Sequence, residues 1–217
     1  MRAFCCFIKG EMRMRKNSVR IIPLCLFALI VAFSAIALTG CGEISKDTVA
    51  VNKLKYRESG IIFDKDRIAL EFVNYNKFPV DFSLHVKYYG RDGDYLDERD
   101  YTVEAVNGES AYYTTLDVED DVFDVDFDYE CHKTKYKPVK ADDMEVTYDS
   151  WKLQVKNQGS DTIRDCYCSI VFLDEYRQLI SVKNYVFNKI PVGEFKQGNL
   201  SAPSSYSTAE VYVRAIY

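Results

Sequence analysis

From about residue 49 to the end, the chain is a succession of short runs in which apolar and polar side chains alternate. In Phe82-Ser83-Leu84-His85-Val86-Lys87-Tyr88 every second residue is apolar. A period of two puts Phe82, Leu84, Val86 and Tyr88 on one face of a strand and Ser83, His85 and Lys87 on the other, toward water. Runs of this kind, rich in Tyr, Val, Ile, Phe and Thr, recur with turn residues between them. No long stretch carries the 3.6-residue period of an amphipathic helix. The pattern predicts an all-β fold, with strands that hide alternate residues between two antiparallel sheets.

The pattern also repeats. Leu70-Glu71-Phe72-Val73-Asn74 matches Leu153-Gln154-Val155-Lys156-Asn157, each a strand ending in Asn. Phe82, Leu84, Val86 and Tyr88 match Cys166, Cys168, Ile170 and Phe172; Tyr95-Leu96 matches Leu179-Ile180, and Tyr101 matches Tyr185. A Gly-Glu turn follows in both, at Gly108-Glu109 and Gly193-Glu194. Phe123, Val125, Phe127 and Tyr129 are set against Ala209, Val211, Val213 and Ala215 in the last strands. Two tandem β-sandwiches are therefore expected, over 49–130 and 141–217. Residues 131–140, a basic stretch with one Pro, read as the linker.

These residues resemble the FxLYD-type family of small immunoglobulin-like sandwiches of bacterial exported proteins. Ile170-Val171-Phe172-Leu173-Asp174 carries the core motif, with Arg177 where the turn Gly would stand. Val86-Lys87-Tyr88-Tyr89-Gly90 lacks the Asp, and Gly93 keeps the turn. The resemblance implies a fold and an exported setting, and brings no activity with it.

Residues 1–40 follow a different rule. Six basic residues (Arg2, Lys9, Arg13, Arg15, Lys16, Arg20) and one acid, Glu11, precede an uncharged apolar run from Ile21 to Leu38. Leu38-Thr39-Gly40-Cys41 closes it. A basic segment, an apolar segment and small residues before a cleavage point are the parts of an export signal. The Cys at its end resembles the bacterial lipobox, which implies cleavage before Cys41 and a diacylglycerol on its thiol. A signal-anchor helix is the other reading of about 18 apolar residues; Pro23 and the small-residue ending count against it. Translation from Met1, Met12 or Met14 leaves the same signal. Residues 41–48 are then the tether, and the lipid holds the chain on the outer side of the cell membrane.

Composition narrows the function. The chain has 28 Lys+Arg against 33 Asp+Glu, a net −5, which argues against a nucleic-acid partner. The charge is uneven: 22 acids and 10 bases over 42–130 give −12, and 10 acids and 12 bases over 131–217 give +2. The acidic unit, read as the one next to the membrane, would be repelled by anionic headgroups. No G-x-S-x-G, H-E-x-x-H or phosphate-binding Gly loop is present. His85 is expected on an outer strand face and His132 in the linker, neither beside a nucleophile. The expectation is a protein that is not an enzyme and needs no cofactor.

Three groups of residues remain as candidates. Cys166 and Cys168 are expected side by side on one strand face as core thiols. A disulfide from Cys131 to either, or a metal set with Cys131 and His132, are the alternatives. Asp124, Asp126 and Asp128 lie in a carboxylate row within the acidic strand region 117–130. They are either calcium ligands or a like-charged face that keeps strands from pairing edge to edge. The 17 tyrosines, all after Cys41, suit either strand propensity or a binding surface for a protein or glycan. Tyr89, Tyr112 or Tyr113, Tyr176 and Tyr206 are the ones expected to be exposed. The sequence thus points to a lipid-anchored envelope protein that binds or spaces, its ligand a protein or a cell-wall polymer. The alternative is a solute- or cation-binding accessory of a transporter that uses the acidic strand region.

Overall fold

The computed structural model describes residues 44–58, 65–149, 151–203 and 205–217. Residues 1–40, where a signal is expected, and Cys41, where lipidation is expected, lie outside the described residues. Within them the chain is all-β, and no helix is long and apolar enough to cross a membrane.

Twelve strands are described: β1 (Val49–Glu58), β2 (Lys65–Asn74), β3 (Val80–Tyr89), β4 (Tyr95–Val106), β5 (Ser110–Thr115) and β6 (Asp124–Lys133), then β7 (Met144–Tyr148), β8 (Lys152–Asn157), β9 (Ile163–Leu173), β10 (Leu179–Ile190), β11 (Phe195–Asn199) and β12 (Thr208–Ile216). They form four antiparallel three-stranded sheets, ordered β1-β2-β5 and β4-β3-β6, then β7-β8-β11 and β10-β9-β12. The second six strands thus reproduce the order of the first six. A 3-10 turn precedes each set, at Lys46–Thr48 and Ala141–Asp143. Each pair of sheets closes on its own core. Leu70, Phe72, Val80, Phe82, Val86 and Tyr88 fill the first, with Phe72 edge-on to Phe82 at 5.2 Å. Leu153, Ile163, Cys166, Cys168, Ile170 and Phe172 fill the second.

Asn74 and Asn157 are the same device used twice. Each ends its strand fully buried. Asn74 Nδ2 donates to the carbonyls of Phe78 (2.8 Å) and Val106 (2.9 Å), and its Oδ1 accepts from the Asn76 amide at 3.0 Å. Asn157 Nδ2 donates to those of Asp161 (2.8 Å) and Ile190 (2.9 Å), and its Oδ1 accepts from the Gly159 amide at 2.9 Å. One side chain satisfies the carbonyl that ends another strand, Val106 or Ile190, together with backbone groups of the loop after its own strand.

The register corrects the alignment in two places. Val86 faces Phe127 across β3 and β6, while Ile170 faces Val211 across β9 and β12. Val125, Phe127, Tyr129 and Cys131 therefore correspond to Ala209, Val211, Val213 and Ala215, two residues further along than the apolar pattern alone suggests. The Gly-Glu turns are displaced by one. The left-handed residue is Glu109 in the first (φ 52°) and Gly193 in the second (φ 80°). Gly108 serves packing instead, since a Cβ there would stand 2.5 Å from the Lys77 carbonyl carbon.

The ends of the expected linker and tether also shift. Cys131–Lys133 belongs to β6, and Val139 is buried, its amide donating to the Ala215 carbonyl. Ile44 packs against the first core, so the fold begins within the stretch 41–48 expected as a tether.

The two sandwiches lie face against face. The outer face of β1-β2-β5 meets that of β10-β9-β12, with Tyr56 and Ala69 against Val171, Leu173 and Val182. Glu58 accepts from Ser181 Oγ (3.0 Å) and Lys183 Nζ (2.5 Å). The Asn184 side chain accepts from the Thr115 amide (2.9 Å) and donates to the Tyr113 carbonyl (2.9 Å). Arg214, 7 % exposed, donates to the Glu104 carbonyl and sits over the rings of Tyr112 (4.8 Å) and Tyr167 (3.7 Å). Tyr113 and Tyr212 pack with centroids 4.6 Å apart. A good share of the unusual tyrosine content is therefore spent between the halves, where a large ring with a polar tip suits a mixed interface.

Candidate functional site

The contacts between the halves fix their direction. The end of β1 meets the start of β10 through Glu58, and the β4–β5 turn meets the end of β12, where Asn107 Nδ2 donates to the Val213 carbonyl at 3.2 Å. Both sandwiches therefore point the same way. One end of the molecule gathers Ile44, the 3-10 turns, the segment 134–140 and Tyr217. There the Tyr75 amide donates to Thr48, the Gln158 amide to Asp143 and the Tyr217 amide to Lys137. The opposite end carries the hairpin turns 90–94 and 174–178, the loop 116–123 and residues 200–203 and 205–207.

That far end holds a cleft of about 670 Å³ among the described residues, between the 90–94 turn, the 118–123 loop and the start of β2. Lys65, Arg67 and Arg91 line it together with Asp66, Asp92, Asp94, Glu119, Asp120 and Asp121. Phe123, about half exposed, stands at its wall with Lys55 Nζ 4.7 Å and the Arg91 guanidinium 5.7 Å from the ring. Lys65 bridges to Asp120 at 3.1 Å. At the same end of the second sandwich Trp151, the chain's one tryptophan, is 79 % exposed, and so is Tyr176 at 75 %. An aromatic face beside carboxylates and guanidinium groups is chemistry suited to a polar polymer or a protein surface.

The tyrosines expected on the surface divide. Tyr176 is exposed. Tyr112 is buried; Tyr113 is half-buried with its hydroxyl on Glu71 at 2.5 Å, and burial followed by that bond pushes its pKa up. Tyr89 and Tyr206 are half-buried, edge-on to Tyr95 and Phe172. Tyr75 and Tyr95, missed by strand alternation because one is in a loop and the other at a strand start, are exposed instead.

The carboxylate row does not converge. Asp126 and Asp128 point outward from β6 beside Lys87 and His85 of β3, which are flanked on β4 by Glu98 and Asp100. The result is a sheet face with cations in the middle and acids on both sides. His85 bonds Asp100 at 2.9 Å and lies 3.4 Å from Glu98, and these carboxylates raise its pKa. Asp124 turns the other way, toward Lys53 Nζ (2.8 Å) and Lys55 Nζ (3.1 Å). Burial works against its carboxylate, but the two ammonium groups and the Val125 amide outweigh this and hold its pKa at about 2. Among the described residues no three His, Cys, Asp or Glu side chains come together as a metal set.

Cys166 and Cys168 lie side by side in the second core, sulfurs 3.8 Å apart, and the neighbouring thiol and burial push the Cys168 pKa up. Cys131 lies in the first core with its sulfur 3.8 Å from the Ile44 carbonyl. Cys166 and Cys168 are thus the core thiols expected, and the alternative of a bridge from Cys131 to either is not formed, because the thiols sit in separate cores. His132 is on β6 and exposed, 3.8 Å from Glu130, apart from both.

Compared with known proteins, the chain matches no family model and no curated protein. The class that the fold defines is an all-β protein of paired antiparallel sandwiches, and its function rests on the chain's own residues.

Proposed function

We propose that the protein is a lipid-anchored binding or spacer protein of the bacterial envelope, with immunoglobulin-like sandwiches of the FxLYD type. In this reading Cys41 carries the lipid, the signal 1–40 is removed and the chain faces the extracytoplasmic side. The far-end loops meet the ligand, a protein or a cell-wall polymer. One observation carries the reading: the chain enters the fold at Ile44, at one end, while the cleft beside Phe123 and the exposed Trp151 stand at the other. A tether at the entry end leaves the opposite loops facing away from the membrane. The compact interface between the sandwiches suits a rigid spacer as well as a presenter of loops.

Two measurements test it. Cys41→Ala removes the acyl mass and releases the protein from the membrane fraction; unchanged attachment and processing overturn the anchor. Phe123→Ala with Trp151→Ala lowers co-sedimentation with purified cell-wall polymer or with an envelope partner. Equal retention of wild type and variant assigns the protein to spacing.

A further inference from the structure

The end at which the chain enters the fold carries a run of exposed cations. Between Cys131 and Ala141 there are four lysines and no acid. Lys133, Lys135, Lys137 and Lys140 are all exposed, and Lys46 and Lys77 join them from the first 3-10 turn and the β2–β3 loop. Aromatic rings are interleaved with these cations. Lys46 lies over Tyr129 (5.1 Å), Lys133 over Phe78 (5.1 Å), Lys135 over Tyr136 (5.3 Å) and Lys137 over Tyr217 (4.6 Å). Tyr75 projects from the same end, 63 % exposed. Ammonium groups with amphipathic rings beside them are the pairing that suits the boundary between water and lipid headgroups.

Acids are present at this end too. Asp161 is engaged by Lys137 at 3.0 Å, and Asp143 accepts from the Tyr217 hydroxyl at 2.7 Å. Asp47, Glu109, Asp142 and Glu194 are exposed around the rim. The positive charge is thus concentrated along the connecting segment, whereas the far-end cleft is lined mainly by carboxylates. Six lysines meet six acids at this end as a whole, so its positive charge is local to the segment 133–140.

We infer that the segment 133–140 docks on anionic phospholipid headgroups and holds both sandwiches upright on the membrane. The inference rests on the reading that Cys41 carries the lipid. From Cys41 to Ile44 is three residues, a reach of about 11 Å at full extension. The Debye length at physiological salt is about 8 Å. A lipid on Cys41 keeps the lysines within or near the layer where the headgroup potential acts. Because the sandwiches lie side by side with the same ends together, the acidic first sandwich is not interposed between the basic segment and the membrane. The repulsion expected from its charge falls on the far end instead.

The test uses the full chain, purified in detergent and reconstituted into vesicles of phosphatidylcholine alone or with about 30 % phosphatidylglycerol. Lysine acetylation is followed by mass spectrometry. In the anionic vesicles Lys133, Lys135 and Lys140 are acetylated about fivefold more slowly than in the neutral ones, and about 0.5 M salt removes the difference. Lys65 and Lys152, at the far end, react equally in both. Equal rates for the 133–140 lysines in the two vesicles overturn the inference. So does an equal slowing by free glycerol phosphate in neutral vesicles, which assigns the segment to soluble phosphate. The acyl mass on Cys41 is read from the same samples. Lipid without protection defeats the docking alone, and protection without lipid defeats the anchor alone.

Discussion

Lys53 and Tyr148 occupy the same position in the two sandwiches and do the same work with different chemistry. Each lies on the outer strand of its first sheet, four residues after the strand start that pairs with Asn74 or Asn157. Lys53 Nζ donates to the Val125 carbonyl at 2.8 Å, and the Tyr148 hydroxyl donates to the Ala209 carbonyl at 2.9 Å. Val125 and Ala209 are equivalent in register. Both bonds lace the two sheets together at an open edge, where no strand pairing holds them. Lys53→Met and Tyr148→Phe each cost about 1 kcal/mol, seen as lower urea midpoints. The lacing role is wrong if both variants unfold like the wild type.

The buried asparagines carry more. Replacing Asn74 by Ala strips partners from the Phe78 and Val106 carbonyls and the Asn76 amide together, and Asn157→Ala does the same for its own three groups. Each change is expected to cost about 3 kcal/mol. Equivalent structural roles require similar losses, measured at unchanged m-value. A loss below about 1 kcal/mol at either site shows that water or a loop shift replaces the side chain.

Arg177 stands in a left-handed turn (φ 62°) at the position that Gly93 (φ 83°) fills in the first hairpin. An L-residue with a Cβ costs about 1–2 kcal/mol in that region relative to its preferred one, and the surface pair of Arg177 with Glu210 at 2.8 Å recovers little. Arg177→Gly therefore stabilises the protein by about 0.5–1 kcal/mol. Gly93→Ala destabilises it by about 1 kcal/mol, although a Cβ there meets nothing within 4 Å. Thermal melts of the two variants should move in opposite directions.

The all-β class, the repeat and the inward faces were legible because a period of two states burial directly. The asparagine pair was legible too, since two strands ended in the same residue. The last strands slipped by two because a slip of two preserves the inward face, so alternation could not detect it. The interface between sandwiches was hidden for a related reason. Residues such as Ala69, Val171 and Val182 face away from their own core, and an apolar residue on an outer face looks like a lapse in the pattern until a second sheet covers it. The acidic far-end cleft was hidden because counting charge along the chain mixes residues from both ends of every strand.

Calcium separates the cation-binding alternative from a solvated acidic face. Ca²⁺ takes six to eight oxygens from several directions, and Asp124 is already held by Lys53 and Lys55 while Asp126 and Asp128 lie in line on β6. Calcium at about 1 mM, the range of weak extracellular sites, should leave the melting temperature unchanged. A rise that disappears in Asp126→Asn with Asp128→Asn would restore the alternative.

The pH dependence of stability has two windows of opposite sign. Asp124 titrates at about 2 when folded against an ordinary value of 3.8. A depressed carboxyl pKa adds stability that is present above 3.8 and is lost as pH falls through 2. Glu58 acts in the same direction. Burial disfavours its carboxylate, but Lys183, Ser181 and Arg67 hold its pKa below the usual glutamate value. His85 acts in reverse: Asp100 and Glu98 raise its pKa, so its contribution is full below the ordinary histidine value of 6.5 and fades as pH rises through the folded value. Asp124→Asn should flatten the acid limb of a stability curve between about pH 4 and 2, leaving the part due to Glu58. His85→Gln should flatten only the neutral limb. An acid limb unchanged in Asp124→Asn would mean that Lys53 and Lys55 do not favour the folded carboxylate, and that the Lys53 lace rests on the Val125 carbonyl alone.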